Sequence, residues 1–404
     1  MADEFPMVPL GEVATVRSGF AFKSSDMGEH GVPIIKIKNI TPPFVDTNDC
    51  EKVPETLIAN LPNSDRYLLE EGDILIAMTG ATAGKVGRFP KTELPHYLNQ
   101  RVGKVYLTNP DRAAYRYLYF VLSQSTFVQL MFGLADGSAQ GNFSGSQIEN
   151  LEIPLPPLNE QQAIACILGA LDDKIELNGR MNDTLEGIAQ TLFNNWFVDA
   201  TRERLPDGWR EASLDSVAHF LNGLALQKFP PDGEDSLPVI KIAQLRAGNT
   251  DGADRASAKI PTEYIVEDGD ILFSWSGSLE VELWCAGRGA LNQHLFKVTS
   301  QRFPKWFYFL WTRHHLRSFQ AVAAGKATTM GHIQRHHLTE ARVFVPTPAQ
   351  LEKMDRQMSR LIEKMITNRL SSRALAALRD TLLSKLISGE LRVPDAERIV
   401  ARCA

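Results

Sequence analysis

Between Asn159 and Val198 the apolar positions recur at alternating steps of four and three residues, giving Ile164, Leu168, Leu171, Ile175, Asn178, Asn182, Leu185, Ala189, Leu192 and Trp196 as one stripe. That spacing predicts a single long helix with a heptad seam. A second stretch, Ala349 to Ser388, continues the phase 190 positions on: Met354, Met358, Leu361, Met365, Asn368, Ser372, Leu375, Arg379, Leu382 and Leu386. Both seams are apolar at their ends and polar in the middle.

Charge on the flanking positions suggests how the two meet. The first segment holds six acids and two bases, net −4, and the second four acids and eight bases, net +4. Opposite charge favours pairing them with each other over pairing either with its own copy. A coiled coil within the chain is the economical reading, each helix being roughly 60 Å long; the roughly 150 residues between them allow either orientation, and the antiparallel one is expected. The helix midpoints then coincide, and Asn178 faces Asn368. The pair either fixes register at a cost in stability or marks a wet, splayed middle.

The segments before each helix repeat one another. Residues 10–22 match 214–226, and VPIIKIKNI at 32–40 matches LPVIKIAQL at 237–245, both read as alternating strands. EEGDILIAMTG at 70–80 returns as EDGDILFSWSG at 267–277, and LNQRVGKV at 98–105 as LNQHLFKV at 291–298. The order never changes while the offset drifts from 204 to 190, which points to two copies of one domain with loops of different length. Each copy goes on to an aromatic-rich helix (about 113–132 and 305–324), a polar Gly-rich loop (135–147 and 323–334) and a short strand ended by proline (151–158 and 341–348). The predicted class is α+β: two strand-rich domains, 1–158 and 199–348, with helical segments 159–198 and 349–391 and a C-terminal tail, 392–404.

Composition narrows the function. The chain has 404 residues, 44% hydrophobic and 23% charged, with net charge −5. No apolar run reaches the length of a membrane span, and the acidic start lacks a signal-peptide core, so a cytoplasmic protein is expected. Cys50, Cys166, Cys285 and Cys403 stand too far apart for a zinc or redox motif. Charge by itself does not announce a nucleic-acid binder; residues 1–158 sum to −5 and 199–348 to zero.

Motifs suggestive of catalysis are incomplete. Gly80 to Lys85 has three residues between its glycines where a phosphate-binding loop has four, and Val86 stands where Ser or Thr would hold magnesium. A turn between two strands is the better reading. Thr41-Pro42-Pro43-Phe44 resembles the catalytic loop of amino-methyltransferases, with threonine in place of the Asp or Asn that accepts from the target amine. His332, His336 and His337 have spacing that could seat a metal, but the Glu of HExxH and a third ligand are missing, and surface or DNA-facing histidines are expected. His314 and His315 read as part of a solvated helix face. No catalytic residue, metal site or cofactor site is predicted.

PLGEVATVRSGFAF, GDILIAMTGATAGKVGRF, LNQRVGKV, GSAQGNFSGSQIENLEIPLPPLNEQQAI and LLSKLISGELRV together resemble the specificity subunits of Type I restriction-modification systems, from Pro9 to Val393. The resemblance implies a chain without catalysis of its own that reads a bipartite, asymmetric DNA target, one half-site per domain, with the gap set by the helical spacers. It implies as partners double-stranded DNA, two adenine-methylating subunits on the spacers, and restriction subunits. S-adenosylmethionine, ATP and magnesium are then expected on those partners and none on this chain. Lengthening the helices by four residues should shift the heads by about 6 Å, close to two base pairs.

Long polar side chains on loops are the candidates for DNA contact. In the first copy these are Lys36, Lys38, Asn39, Lys85, Arg88, Gln140, Asn142 and Ser144; in the second, Lys241, Gln244, Arg246, Lys326, Thr328 and His332. Asn99-Gln100 and Asn292-Gln293 recur in both copies, which suggests a shared frame. Trp275, in the place of Met78, and Trp284, set against Gly87 by position, either line a base-contacting surface or fill a larger core, the core being the favoured reading. Two rival readings are a duplicated protein-binding scaffold with a coiled-coil spacer, and a lone methyltransferase, for which no cofactor pocket is legible.

Overall fold

The computed structural model of the chain describes residues 5–136, 142–231, 235–325 and 331–403. Two compact units emerge, one of Met1–Asp173 with Ala377–Ala404 and the other of Lys174–Ala376. Both cuts fall inside long helices, Leu158–Phe193 and Pro348–Ile387. Each unit thus takes one strand-rich domain together with a portion of both helices, a division different from one made element by element along the sequence. The predicted tail contributes a helix, Val393–Cys403.

In the first unit a six-stranded sheet runs in the order Ala14–Ser18, Val102–Leu107, Ile74–Ala77, Val86–Arg88, Phe44–Val45, Ile40–Thr41. A three-stranded sheet, Glu51–Val53, Val32–Ile35 and Tyr97–Leu98, lies beside it in the chain order, its last pair parallel. In the second unit the corresponding sheets are His219–Asn222, Leu295–Thr299, Ile271–Ser274, Val281–Leu283, and Arg255–Ser257, Ser236–Ile240, Gly289–Leu291, Ile265–Val266. Each domain is closed by its first strand pairing antiparallel with its last, Met7–Pro9 with Glu152–Pro154 and Arg210–Ser213 with Arg342–Val345. The expected α+β duplication is therefore present.

Local chemistry shortens two expected strands. The stretch 32–40 stops at Ile35 and turns through Ile37–Asn39, because the Asn39 side chain accepts from the Lys36 amide at 3.0 Å. In the copy, Gln244 accepts from the Lys241 amide at 3.3 Å, and Ile242–Ala247 is helical. The aromatic helix of the first unit is also divided, into Tyr115–Leu122 and Ser125–Asp136, whereas Lys305–Ala324 is continuous. Gln124 ends one segment and starts the next, its carbonyl accepting from the Val128 amide at 2.9 Å. The two pieces meet at 72°, and among the described residues no single helix is long and apolar enough to cross a membrane.

Within each unit the long helices run antiparallel. In the first, Asp172 meets Arg379 at 2.9 Å; in the second, Asn182 meets Asn368 at 2.9 Å and Asn178 meets Ser372 at 3.2 Å. Rising numbers on one helix thus face falling numbers on the other. No position of either predicted seam is exposed. The polar middle lies in the second unit and is internally bonded. The Asn178 amide also reaches the Asn368 carbonyl at 3.5 Å, and the Asn182 amide donates to the Met365 carbonyl at 3.2 Å. Asn178 and Asn368 are both buried.

The opposite charges on the helices turn out to serve the domains as much as the seam. Asp172–Arg379 is the one ion pair joining the two long helices among the described residues. Asp173 instead meets Arg116 at 2.5 Å, Glu186 meets Arg313 at 2.5 Å, and Arg373 makes a two-pronged contact with Asp268 at 2.8 Å. Gln161, fully buried, docks the start of the first helix by accepting from the Ala114 amide at 2.9 Å and donating to the carbonyls of Pro156 and Arg112 at 2.7 and 2.9 Å. At its other end Phe193 and Phe197 enter an aromatic cluster with Trp306, Phe307 and Trp311.

One ion pair, buried in the first unit and half-buried in the second, explains two of the repeated motifs. Lys104 meets Asp73 at 2.6 Å and Lys297 meets Asp270 at 2.8 Å, joining the GDIL segment to the end of the LNQ segment in each unit. The lysines also donate to Leu68 and Ile265 carbonyls at 3.3 and 2.9 Å, and both aspartates accept from an amide three residues back at 2.8 Å. Burial, the largest influence, pushes the Asp73 carboxyl above its ordinary range against these hydrogen bonds. Replacing Lys104 by Met leaves that burial opposed only by the Glu70 amide, with an expected loss of about 3–5 kcal/mol. Because a carboxyl with a raised folded pKa favours the fold more as it protonates, the loss is largest at neutral pH and shrinks on acidification. Denaturant melts of K104M from pH 7 to pH 4 check both statements.

Candidate nucleic-acid interface

The LNQ repeat builds a turn, and the chemistry of the turn shows why Asn is needed. The Asn99 side-chain oxygen accepts from the Arg101 amide at 3.4 Å, and that of Asn292 from the His294 amide at 3.2 Å. Their own amides donate to Ile35 and Ile240 at 3.1 and 3.2 Å. Both asparagines are buried, so they belong to the frame. Gly19 and Gly223 let a neighbouring strand end approach this turn: a Cβ there would lie 2.1 Å from the Leu98 oxygen and 2.2 Å from the Asn292 oxygen, a contact only glycine permits. Gln100 and Arg101 are exposed, and Gln293 and His294 half-buried.

The turn leads to the strand end and then to the polar loop. The Met78 amide donates to the Arg101 carbonyl at 3.0 Å, as Trp275 does to His294 at 3.3 Å. The next residues, Thr79 and Ser276, form antiparallel bridges with Asn142 and His332. The Phe143 and Ile333 amides donate back to Met78 and Trp275 at 3.2 and 3.0 Å. Gly80–Thr82 is a short turn between the antiparallel strands Ile74–Ala77 and Val86–Arg88, as expected for a sequence that only partly matches a phosphate loop.

In the second unit this edge is rich in rings. The Trp275 indole N–H donates to the Asn222 side chain at 2.9 Å and to the Gln293 carbonyl at 3.2 Å, with its ring 5.8 Å from His294 and 6.3 Å from His332. Ser276 Oγ lies 3.0 Å from His294 Nδ1, and the Gln293 amide nitrogen 3.4 Å from its Nε2. A cavity of about 420 Å³ borders this edge, lined by Gln227, Lys241, Asn292, Gln293 and His294 among others. Trp275 is thus only half-buried, while Trp284 is a core residue. By strand register Trp284 matches Phe89, each amide donating to the aspartate before its strand at 2.8 Å, and not Gly87.

The candidate DNA-contacting residues fall into three groups. Asn142, Ser144, Gln244 and His332 lie on loops or element starts; Ser144 caps Gly145–Glu149, its amide donating to Gln147 at 2.8 Å. Several cations already face acids: Lys36 meets Glu51 at 2.8 Å, Lys38 meets Asp49 at 3.2 Å, Arg246 meets Glu280 at 3.4 Å, and Lys241 pairs with Asp254. Lys85 is exposed. Two residues are withdrawn from the surface and correct the expectation. Asn39 is buried, its amide donating to the Asp46 and Asp49 carbonyls at 3.2 and 3.0 Å, so its capping role consumes the side chain. Arg88 turns inward, with Asp173 at 3.8 Å and the Phe44 and Tyr119 rings 5.2 and 5.6 Å from its guanidinium. Gln140, Lys326 and Thr328 lie outside the described residues.

The histidine cluster has a backbone role. His336, His337 and Glu340 offer ligand atoms within 4.8 Å of one another. His337 Nδ1, however, accepts from the Gln334 amide at 2.9 Å, the place held by Gln147 in the first copy. His315 is also packed rather than solvated: its Nε2 lies 2.8 Å from the Arg342 carbonyl, its ring stacks 5.9 Å from Trp311, and burial holds its pKa below the usual histidine range. Arg101, His294 and Asn222 escaped the sequence reading. The signal that locates the first two is the alignment of the two copies at the residue after Asn-Gln, where Arg in one copy stands in the place of His in the other; no such signal marks Asn222.

Comparison with known proteins bears out the resemblance read from the motifs. Residues 2–187 match the family model of the Type I restriction modification DNA specificity domain. The chain is 27% identical to the MjaIX Type I restriction enzyme specificity subunit of Methanocaldococcus jannaschii over 70% of its own length and 71% of the relative's. It is 22% identical to the EcoKI specificity subunit of Escherichia coli K12 over 95% and 89%. The crystal structure of a Type I restriction-modification S subunit from M. genitalium superposes with a TM-score of 0.53 at 16% identity, covering 95% of this chain and 96% of that one. The fold is therefore shared.

The ring-rich edge can be tested for its own contribution. Trp275→Phe puts a smaller phenyl ring in place of the indole and removes the donor shared by Asn222 and the Gln293 carbonyl, with an expected cost of at least about 1 kcal/mol. The midpoint of thermal unfolding measures it.

Proposed function

We propose, on the premise that residues 2–187 carry the Type I restriction modification DNA specificity domain and that the second unit is its copy within the chain, that this protein is the DNA sequence-specificity subunit of a Type I restriction-modification complex. The observation that supports it most directly is one backbone frame built twice, with different side chains at its edge: Arg101, Asn142 and Met78 in one unit, His294, His332 and Trp275 in the other. Two copies of one reading head with unlike tips suit a target with two unlike halves.

On this reading the chain itself performs no reaction and works in the cytoplasm on double-stranded DNA. Two methylase subunits bring S-adenosylmethionine to the helical segments, and restriction subunits bring ATP and magnesium. The target adenine leaves the stack to reach the methylase, and this chain chooses which adenine. Half-sites read from one face of B-DNA lie about one turn, ~34–36 Å, apart, and the helical segments set the gap between them. The methylase and the restriction subunits supply much of the phosphate contact that a chain of net charge −5 does not.

Mapping N6-methyladenine in cells that hold the neighbouring methylase, with and without this chain, tests the reading. A two-part asymmetric motif present only with the chain is expected. Unchanged methylation, together with a purified complex that prefers no DNA sequence, overturns it and leaves a protein-binding scaffold. The spacer role has its own test: four residues inserted into each long helix should lengthen the motif's gap by about two base pairs, at 1.5 Å of rise per residue. An unaltered gap refutes that role.

A further inference from the structure

In both units a buried asparagine, Asn99 or Asn292, holds a turn whose next two residues are exposed in the first copy and half-buried in the second. The backbone bonds match one for one. The Gln100 and Gln293 amides donate to Phe20 and Leu224 at 2.8 and 2.9 Å, and the tip carbonyls of Arg101 and His294 accept from the ends of the central strands. The residue after each strand end is bridged to the polar loop, at Asn142 or His332. Turn tip, strand end and loop therefore make one continuous edge in each unit. The first two residues of the turn are the same in both copies, and the third is not.

We propose that this third residue, Arg101 in the first unit and His294 in the second, specifies a base in its own half-site, with Asn142 and His332 beside it on the same edge. The inference rests on the function proposed above. Arg101 is exposed, and its guanidinium carries the paired donors that match guanine O6 and N7, the commonest side-chain reading of a base edge. His294 is shorter and its ring is already placed, between the Ser276 hydroxyl and the Gln293 amide with Trp275 behind it. The Ser276 contact at 3.0 Å fixes Nδ1, while Nε2 meets only the Gln293 side chain at 3.4 Å; a base edge that takes the place of that longer contact gains one directed hydrogen bond in place of two, so the second half-site is read there by a different rule. The cations Lys36 and Lys241 fit the frame instead, since each occupies the same place in its copy and each faces an acid.

The experiment is methylation mapping of the full complex carrying Arg101→Ala, His294→Ala or His294→Arg. R101A should lower the preference for guanine at one position of one half-site by about tenfold or more, leaving the other half intact. H294A should relax one position of the other half only, and H294R should move that position towards guanine. Variants that assemble and melt like the unmodified chain, yet methylate the original motif with unaltered preference at every position, overturn the inference. So does a uniform loss across both halves, which is the behaviour of a phosphate contact. If the unmodified chain yields no two-part motif, the failure is of the parent reading, which separates the two cases.

Discussion

A helix of forty residues whose seam is polar in the middle cannot hold itself in water. Its propensity is too weak and its apolar stripe too narrow, so most of its stability must come from packing. The partner helix covers the seam in both units, and each domain covers what remains. In the first unit Gln161 fixes the entry of one helix, while Asp172 and Asp173 engage Arg379 and Arg116. In the second, Phe193 and Phe197 enter the aromatic core as Arg369 and Arg373 reach the Leu283 and Cys285 carbonyls and Asp268. A helix held this way is ordered by its domain, and the domain is ordered by it.

The same economy appears inside each domain. Lysine is a costly residue to bury, yet Lys104 is buried and Lys297 half-buried, each against the aspartate that precedes the central strand. Losing one partner of such a pair strands the other, which keeps the GDIL segment and the LNQ segment together through the divergence of everything around them. The Asn turn adjoins this pair, and the glycine contact closes over the turn. A frame pinned by an ion pair, a side-chain-to-backbone bond and a steric exclusion fixes the backbone of the tip and leaves the identity of its side chain open. Divergence collects there.

Much of this was legible because duplication supplies an internal alignment. The seam, the order of segments and the frame role of Asn99 and Asn292 followed from spacing or from repetition, and the pairing of the two helices with each other from their opposite charge. What spacing cannot reveal is how polar side chains divide between backbone and solvent. Asn39 and His337 look like surface residues in the sequence and act as acceptors for the amides of Lys36 and Gln334. Arg88 looks like a cation for phosphate and lies under two aromatic rings near Asp173. The helix charges suggested attraction between helices, and most of their ion pairs go instead to the adjacent domain. The break at Gln124 left no mark in a run of aromatic residues that reads as one helix.

Those ion pairs bear on how such a surface can meet nucleic acid. A lysine already facing a carboxylate gives a phosphate only the difference between two partners, and the displaced acid then repels the backbone it faces. Lys36, Lys241 and Arg246 are in that position, each with its acid on the same domain. Exposed pairs of this kind contribute at most about 1 kcal/mol, so they do not forbid displacement; they make it a weak source of affinity. Sequence reading has the opposite requirement, because a base edge rewards direction and placement more than net charge. The turn tip and polar loop offer donors and rings on a rigid frame with little charge. On the function proposed above, a chain whose net charge is −5 supplies discrimination through its domains and leaves affinity to the assembly around them.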